Sequence, residues 1–242
     1  MAGCTGQSVM FFPDNYVCVD IETTGLSYQT EEIIEIAAVK VENNAVTAEY
    51  SALVNPLKPI PSKITKKTGI TNDMVVGADV IENVIGGFID FIGDLPMVGH
   101  NIASFDSRFI DIAAKRAERT ISNDYIDTLR LAKKVLPISS YKLEDISGYY
   151  GVDYNGAHRA LRDCYITFEC FEKMEADAEG HSGVLDFGGD VRERFGCCDL
   201  YVQCSDAKKC IHKDQSYAHN CWYRANLENG RIFYGVNRNV EP

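Results

Sequence analysis

The chain has 242 residues, with 24 Lys+Arg against 35 Asp+Glu and 45% apolar side chains, a globular composition that excludes a disordered, collagenous or membrane-spanning protein. Its net charge of −11 argues against gripping duplex nucleic acid along many phosphates through its own cations. Residues 1–198 hold 18 basic and 30 acidic side chains while 199–242 hold 6 and 5, so the acidity belongs to the body.

The opening MAGCTGQSVMFFPDNY has no basic cluster ahead of an apolar run, and no window reaches the roughly 18 apolar residues of a transmembrane helix, which predicts a cytoplasmic protein without membrane attachment. Within it Gln7–Phe11 loosely resembles peptides that dock on sliding clamps, but residues 9–12 read better as an edge strand or a packed loop. Residues 16–21 (YVCVDI) form a β-branched run ending at Glu22-Thr-Thr-Gly25, the pattern of a central strand and a turn. Residues 32–41 and 47–54 continue as strands, so the first three are expected to form an antiparallel meander. Pro59 and Pro61 then break the sheet. Thr71, Asn72, Asp73 and Asp79 are N-cap candidates for short helices, the second running over 80–92.

A fourth strand is expected at 97–100, a helix at 104–115 and a fifth strand at 124–126. Asp127 should cap a helix to Val135, with further helices at 142–149 and 157–178. Strands first, then strands alternating with helices, predict a mixed five-stranded α/β sheet flanked by helices. Residues 1–180 would be the main domain, the Gly-rich 181–198 a linker, and 199–242 a Cys-rich appendage.

Three elements carry chemistry. Asp20 and Glu22 end the first strand, and period-two geometry points both carboxylates to one face, although strand-end acids often merely meet water. Asp106, in His100-Asn101-Ile-Ala-Ser-Phe105-Asp106, falls at a helix start, where an acid also complements the helix dipole. His158 and Asp163, in HRALRD, are five apart, about 140° around a helix, so they border one cleft only if His158 precedes the helix. Two like charges about 4 Å apart repel by about 4 kcal/mol at an effective dielectric of 20, so four clustered carboxylates call for cations or shifted pKa values.

DIETTGL at 20–26, PIPSKITKKTGIT at 59–71, HNIASFDSRF at 100–109 and HRALRD at 158–163 occur in that order. In these motifs the chain resembles the DEDDh class of 3′→5′ exonucleases, the DnaQ-like members of the ribonuclease H-like superfamily. Within that class it is similar to the proofreading exonucleases of bacterial replicative polymerases, of the epsilon type. The resemblance covers about residues 14–173. It implies a ribonuclease H-like fold, two Mg²⁺ or Mn²⁺ ions held by Asp20, Glu22, Asp106 and Asp163, and His158 as general base. Hard oxygen donors suit those ions.

The resemblance also implies a pocket for the terminal nucleotide. Thr23 and Thr24 would stand where the backbone meets the terminal 3′-hydroxyl, Leu26 would wedge beside the last base, and Thr68, His100, Asn101 and Phe105 would surround the same nucleotide. Thr68 stands where the proofreading relatives often have a larger ring. Each has a bland reading, with Phe105 as core, Leu26 as a loop anchor and His100 as a hydrogen-bonded strand end.

The tail reads Cys204-x5-Cys210-x-His212-x6-His219-x-Cys221 after Cys197-Cys198. Cys204, Cys210, His212 and Cys221 are candidate ligands of one structural Zn²⁺, with His219 or Cys198 as substitutes. Reduced cysteines packing the tail onto the body are the competing reading. Asn229-Gly230, between 222–227 and 231–234, is a type I′ hairpin signal. Its Arg224, Arg231 and Arg238 among aromatic residues suit either a single-strand stacking surface or a small core, and the core is preferred.

The expected activity is metal-dependent 3′→5′ hydrolysis of single-stranded DNA, releasing 5′-mononucleotides, with a DNA polymerase as a partner in trans. The same chemistry on RNA is the rival enzyme reading, and a catalytically idle nucleic-acid scaffold is the rival of another class. All five site residues are present, which argues against the scaffold.

Overall fold

The computed structural model describes residues 6–180 and the two-residue strand Phe233–Tyr234. Strands β1 (Ser8–Phe11), β2 (Asn15–Thr23), β3 (Ile33–Glu42) and β4 (Ala45–Leu53) come first. Helices α1 (Ser62–Thr68), α2 (Asn72–Val75) and α3 (Ile81–Ile92) lead to β5 (Met97–Gly99). Then come α4 (Asp106–Arg116), β6 (Tyr125–Asp127), α5 (Thr128–Val135), α6 (Leu143–Tyr150), α7 (Ala160–Gly180) and β7 (Phe233–Tyr234).

The sheet order is β4-β3-β2-β5-β6-β1-β7. Strands β2, β3 and β4 form the expected antiparallel meander, with β5 and β6 added in parallel. The β3–β4 hairpin turns at Asn43 and Asn44, with φ 52° and 60°, the left-handed pair of a two-residue type I′ turn that asparagine tolerates. Two short strands widen the five-stranded sheet. β1 pairs in parallel with β6, and β7 pairs antiparallel with β1. Residues 8–11 are therefore a strand, as one reading of the clamp-like peptide expected, but one paired on both sides and not an edge strand. The expected hairpin partner at 222–227, the linker and all the zinc candidates lie outside the described residues.

Alternation along β2 sets the layers. Tyr16 and Cys18 enter a core with Val39, Val41, Ile146, Cys164, Phe171 and Met174 beneath α6 and α7. Val17, Val19 and Ile21 enter a second core with Ile36, Ala38, Ile85, Phe88, Phe109 and Ile110 beneath α3 and α4. In the first core Tyr16 meets the Phe171 ring edge-on, with centroids 5.1 Å apart. Cys18, Cys164 and Cys170 are buried free thiols.

Helix boundaries match the sequence reading with three corrections. Helix α7 starts at Ala160, three residues later than expected, because His158 just before it is in the left-handed region. Helix α1 was not expected, because seven residues are too few for a periodic pattern, although Gly69 at φ 74° ends it in the usual left-handed way. Asp79 is not the cap of α3. Val80 holds that position without a side-chain bond, and Asp79 instead accepts from the Asn83 amide at 3.3 Å. Thr71 and Asp127 do cap, accepting from Met74 N and from Leu129 and Arg130 N respectively.

Candidate active site

Asp20 and Glu22 extend the even-numbered face of β2 past Tyr16 and Cys18, so both carboxylates emerge on the α7 side at the strand's C-terminal end. Directly across the β2–β3 ladder, Glu22 faces Glu35 and Asp20 faces Ala37.

Asp106 arrives from the end of β5. Gly99 lies so close to β2 that an added Cβ would stand 3.0 Å from the Val19 carbonyl oxygen and 2.9 Å from Ile102, a close approach that glycine permits. The chain then turns through Asn101 at φ 63°. Asp127 pins this turn, its carboxylate accepting from Asn101 N at 3.1 Å and Ala103 N at 3.3 Å. The turn delivers Asp106, 3% exposed, to the first residue of α4.

His158 precedes α7, in the left-handed region at φ 68°. That placement resolves the five-residue spacing, because the His158 backbone N–H donates to both oxygens of Asp163, at 3.1 and 3.3 Å. The next residue fixes the helix start. Arg159 forks onto the buried Glu35 carboxylate at 2.6–3.2 Å, and Ala160 N donates to Glu35 Oε2 at 2.9 Å. Glu35 on β3 thus satisfies an otherwise orphan N–H at the start of α7.

One open cleft is lined by Asp20, Glu22, Asp106, His158 and Asp163 together with Thr23, Leu26, Thr68, His100, Asn101 and Phe105. Every candidate from the motifs comes together here except Thr24. The Thr24 side chain is 1% exposed and turned into the loop, donating to Glu31 at 2.6 Å and accepting from Glu32 N at 3.0 Å. Thr23 donates to Gly25 O at 2.6 Å, and the Thr68 hydroxyl lies between Ile64 O and Ile70 N, both at 3.1 Å. Leu26 projects at 87% exposure, whereas Phe105 is half-buried against Phe109, with centroids 5.0 Å apart. His100 Nδ1 lies 3.1 Å from the Thr128 hydroxyl, and burial lowers its pKa to about 4, which keeps the ring neutral.

Without cations the carboxylates bind protons more tightly than ordinary acids. Burial pushes Asp20 well above the usual range, with Asp106, Asp163 and Glu22 adding repulsion. Burial likewise raises Glu22 and Asp106 to about 7 and Asp163 to about 6. His158 is lowered, first by burial and then by the Lys67 charge. Glu22, His158 and Asp163 each offer a ligand atom within 4.8 Å of the others. Mutually raised acids with converging hard oxygens fit divalent cations, which would replace the protons.

Sequence reasoning passed over Glu35, Arg159, Lys67 and the second duty of Asp127. Glu35 was visible as an acid inside the apolar run IIEIAAV, and Lys67 lay unremarked in the motif at 59–71. Among the described residues no helix is long and apolar enough to cross a membrane.

Residues 17–171 match the RNase T-type family model, described as exonuclease. The chain is 39% identical over 174 residues to the DNA polymerase III subunit epsilon of Aquifex aeolicus, covering 71% of this chain and 86% of that protein. It is 41% identical over 171 residues to the PolC-type DNA polymerase III of Caldanaerobacter subterraneus subsp. tengcongensis, covering 70% of this chain but 12% of that much longer protein. Among solved structures, exonuclease X in complex with 5′ overhanging duplex DNA superposes with a TM-score of 0.56 at 28% identity, covering 71% of this chain and 95% of that one. E. coli exonuclease I in complex with a dT13 oligonucleotide reaches 0.61 at 17% identity over 69% of this chain and 42% of that one, a likeness of fold. With the family model spanning the cleft and its motifs, the chain belongs to the exonuclease family, in its DnaQ-like branch, and is a 3′→5′ exonuclease.

Proposed function

We propose that the protein removes nucleotides from the 3′ ends of single-stranded DNA or frayed duplexes and releases 5′-mononucleotides. The observation that carries this reading is the convergence of four carboxylates and His158 in one open cleft. Asp20, Glu22 and Asp163 would hold one Mg²⁺ or Mn²⁺, and Asp20 and Asp106 the other. Such a pair supplies an activated water and neutralises charge on the phosphate and the leaving 3′-oxygen.

The chain's own residues do the rest. His158 accepts the proton of the attacking water on a ring nitrogen, and its lowered pKa keeps that nitrogen free near neutral pH. The Asp163 carboxylate fixes the His158 backbone, so base and ligand are held as one unit. Leu26, Phe105, His100 and Asn101 surround the terminal nucleotide, with Leu26 exposed as a wedge and Phe105 as an apolar wall. A substrate held by its end needs few phosphate contacts, which reconciles the activity with a charge of −11. The epsilon relative further supports action beside a DNA polymerase bound in trans.

The test is degradation of 5′-labelled DNA and RNA of one sequence with Mg²⁺, Mn²⁺ or EDTA, by wild type and Asp163→Ala. A metal-dependent ladder shortening from the 3′ end, faster on DNA and absent in the variant, is expected. Faster cleavage of RNA would transfer the same chemistry to oligoribonucleotides, and cleavage in EDTA would overturn the metal assignment.

A further inference from the structure

We infer that Lys67 is a phosphate-binding residue of this cleft, its ammonium taking a non-bridging oxygen of the scissile phosphate, the group that leaves as the 5′-phosphate of the mononucleotide. The inference rests on the exonuclease reading above and adds to it the cation on the protein that recognises the reacting phosphate.

Helix α1 is short and basic, with Lys63, Lys66 and Lys67 all exposed. Among the described residues, Lys67 is the one Lys or Arg that lines the cleft. It also differs from the other cations near the site. Lys58 pairs with Glu31, Arg116 with Glu32 and Glu82, and Arg159 with Glu35. Lys67 makes no hydrogen bond and no ion pair within 4.0 Å among the described residues, although four carboxylates share its cleft. An ammonium held near acids but out of contact with them leaves its donors free for a third group.

Its position on the cleft wall selects that group. Lys67 lines the cleft beside Asp20, Glu22, Asp106, His158 and Asp163, and Glu22, His158 and Asp163 bring ligand atoms within 4.8 Å of one another. A phosphate drawn to cations at the carboxylates would therefore meet Lys67 as the cationic side chain of the cleft wall. In an in-line displacement the phosphorus moves toward the attacking water as the 3′-oxygen departs. A compact point charge on a flexible stem can follow the phosphate through the change. A basic residue in a helix's last turn also complements the dipole, but Lys66 does the same without lining the cleft. Thr68, the neighbouring nucleotide-pocket candidate, has its hydroxyl engaged within α1 and by Ile70 N, so Lys67 is the cleft-lining polar side chain that α1 offers to a ligand.

The experiment measures inhibition of Mn²⁺-dependent DNA hydrolysis by thymidine 5′-monophosphate and by thymidine, for wild type, Lys67→Ala and Lys67→Arg, with melting temperatures and Mn²⁺ titrations alongside. In Lys67→Ala the inhibition constant of the monophosphate should rise about tenfold, as for loss of one charge-assisted bond, while that of thymidine stays fixed. Lys67→Arg should recover most of the difference. The slope of log kcat/KM against log salt should become shallower by about 0.7, one single-strand phosphate contact.

Unchanged monophosphate binding with a lower Mn²⁺ requirement would overturn the inference and leave Lys67 as an offset to the carboxylates. A parallel loss for monophosphate and thymidine would overturn it in favour of pocket shaping. Wild type that cuts no DNA would instead sink the exonuclease reading, a result distinct from wild type and Lys67→Ala cutting alike.

Discussion

Two glutamates face each other across the β2–β3 ladder, both nearly out of solvent, and their surroundings divide structure from chemistry. Glu35, 2% exposed, is answered on every side by the Arg159 fork and the Ala160 N–H. Glu22, 8% exposed, is raised to about 7 by burial, with the Lys67 charge opposing the rise and Asp163, Glu35 and Asp106 adding repulsion. A buried charge that is fully paired fixes geometry, whereas one left facing other acids stores an unfavourable field that a cation can relieve. In this fold the first anchors the element that presents the second.

The sharpest break of that contrast is at the cluster. Asp163→Asn or His158→Ala should lower kcat by on the order of 10³-fold, read in single-turnover DNA cleavage, because each removes a ligand or the base. Glu22→Gln should abolish turnover similarly yet leave the metal-free melting temperature at pH 8 equal or higher, since it removes repulsion. Wild-type turnover in any of the three would sink the assigned roles.

Next in size is Glu35→Ala. It strands Arg159 and the α7 N-terminus and should cost about 3 kcal/mol of stability, the low end for a broken buried pair because Arg159 is partly exposed. Denaturant unfolding checks this, and an unchanged midpoint would show that the pair anchors nothing.

The pH dependence comes third. Glu22, Asp106 and Asp163 bind protons more tightly folded than unfolded, so their contribution to metal-free stability is fullest below their ordinary range near pH 4 and is lost as pH rises from there through about 6 to 7. Saturating Mg²⁺ should remove that fall. Glu22→Gln should flatten the metal-free slope between pH 5 and 8, and a slope equal to wild type would contradict the picture. The smallest effect is expected at Lys115→Ala, an exposed pair with Asp111, where thermal unfolding should register less than about 0.5 kcal/mol.

Local pattern made much of this legible. Alternation along residues 16–22 already placed Asp20 and Glu22 on one face, and Asp127 read correctly as a cap. The Glu35–Arg159 fork was not legible, because its partners are 124 residues apart and meet only once β3 and α7 pack. The relation of His158 to Asp163 was readable only as a condition. Spacing alone set them 140° apart, and a backbone turn brought them together. Thr24 marks the opposite case, a motif residue whose hydroxyl the loop uses for itself. Helix α1 escaped notice because its stop signal was clearer than its start, and Lys67 went unremarked with it.

The left-handed backbone at His158 constrains the way this protein could lose its activity by drift. The position answers to two demands at once, an imidazole for proton transfer and a left-handed conformation that glycine, asparagine, aspartate and histidine tolerate better than β-branched or bulky side chains. Substitution by a β-branched residue would harm both, so it would be purged for folding as well as for catalysis. A descendant that abandoned hydrolysis while keeping the fold would most easily carry glycine or asparagine there. Loss of the imidazole at position 158 would therefore be one single-residue mark of an inactive descendant, beside loss of any of the four carboxylates.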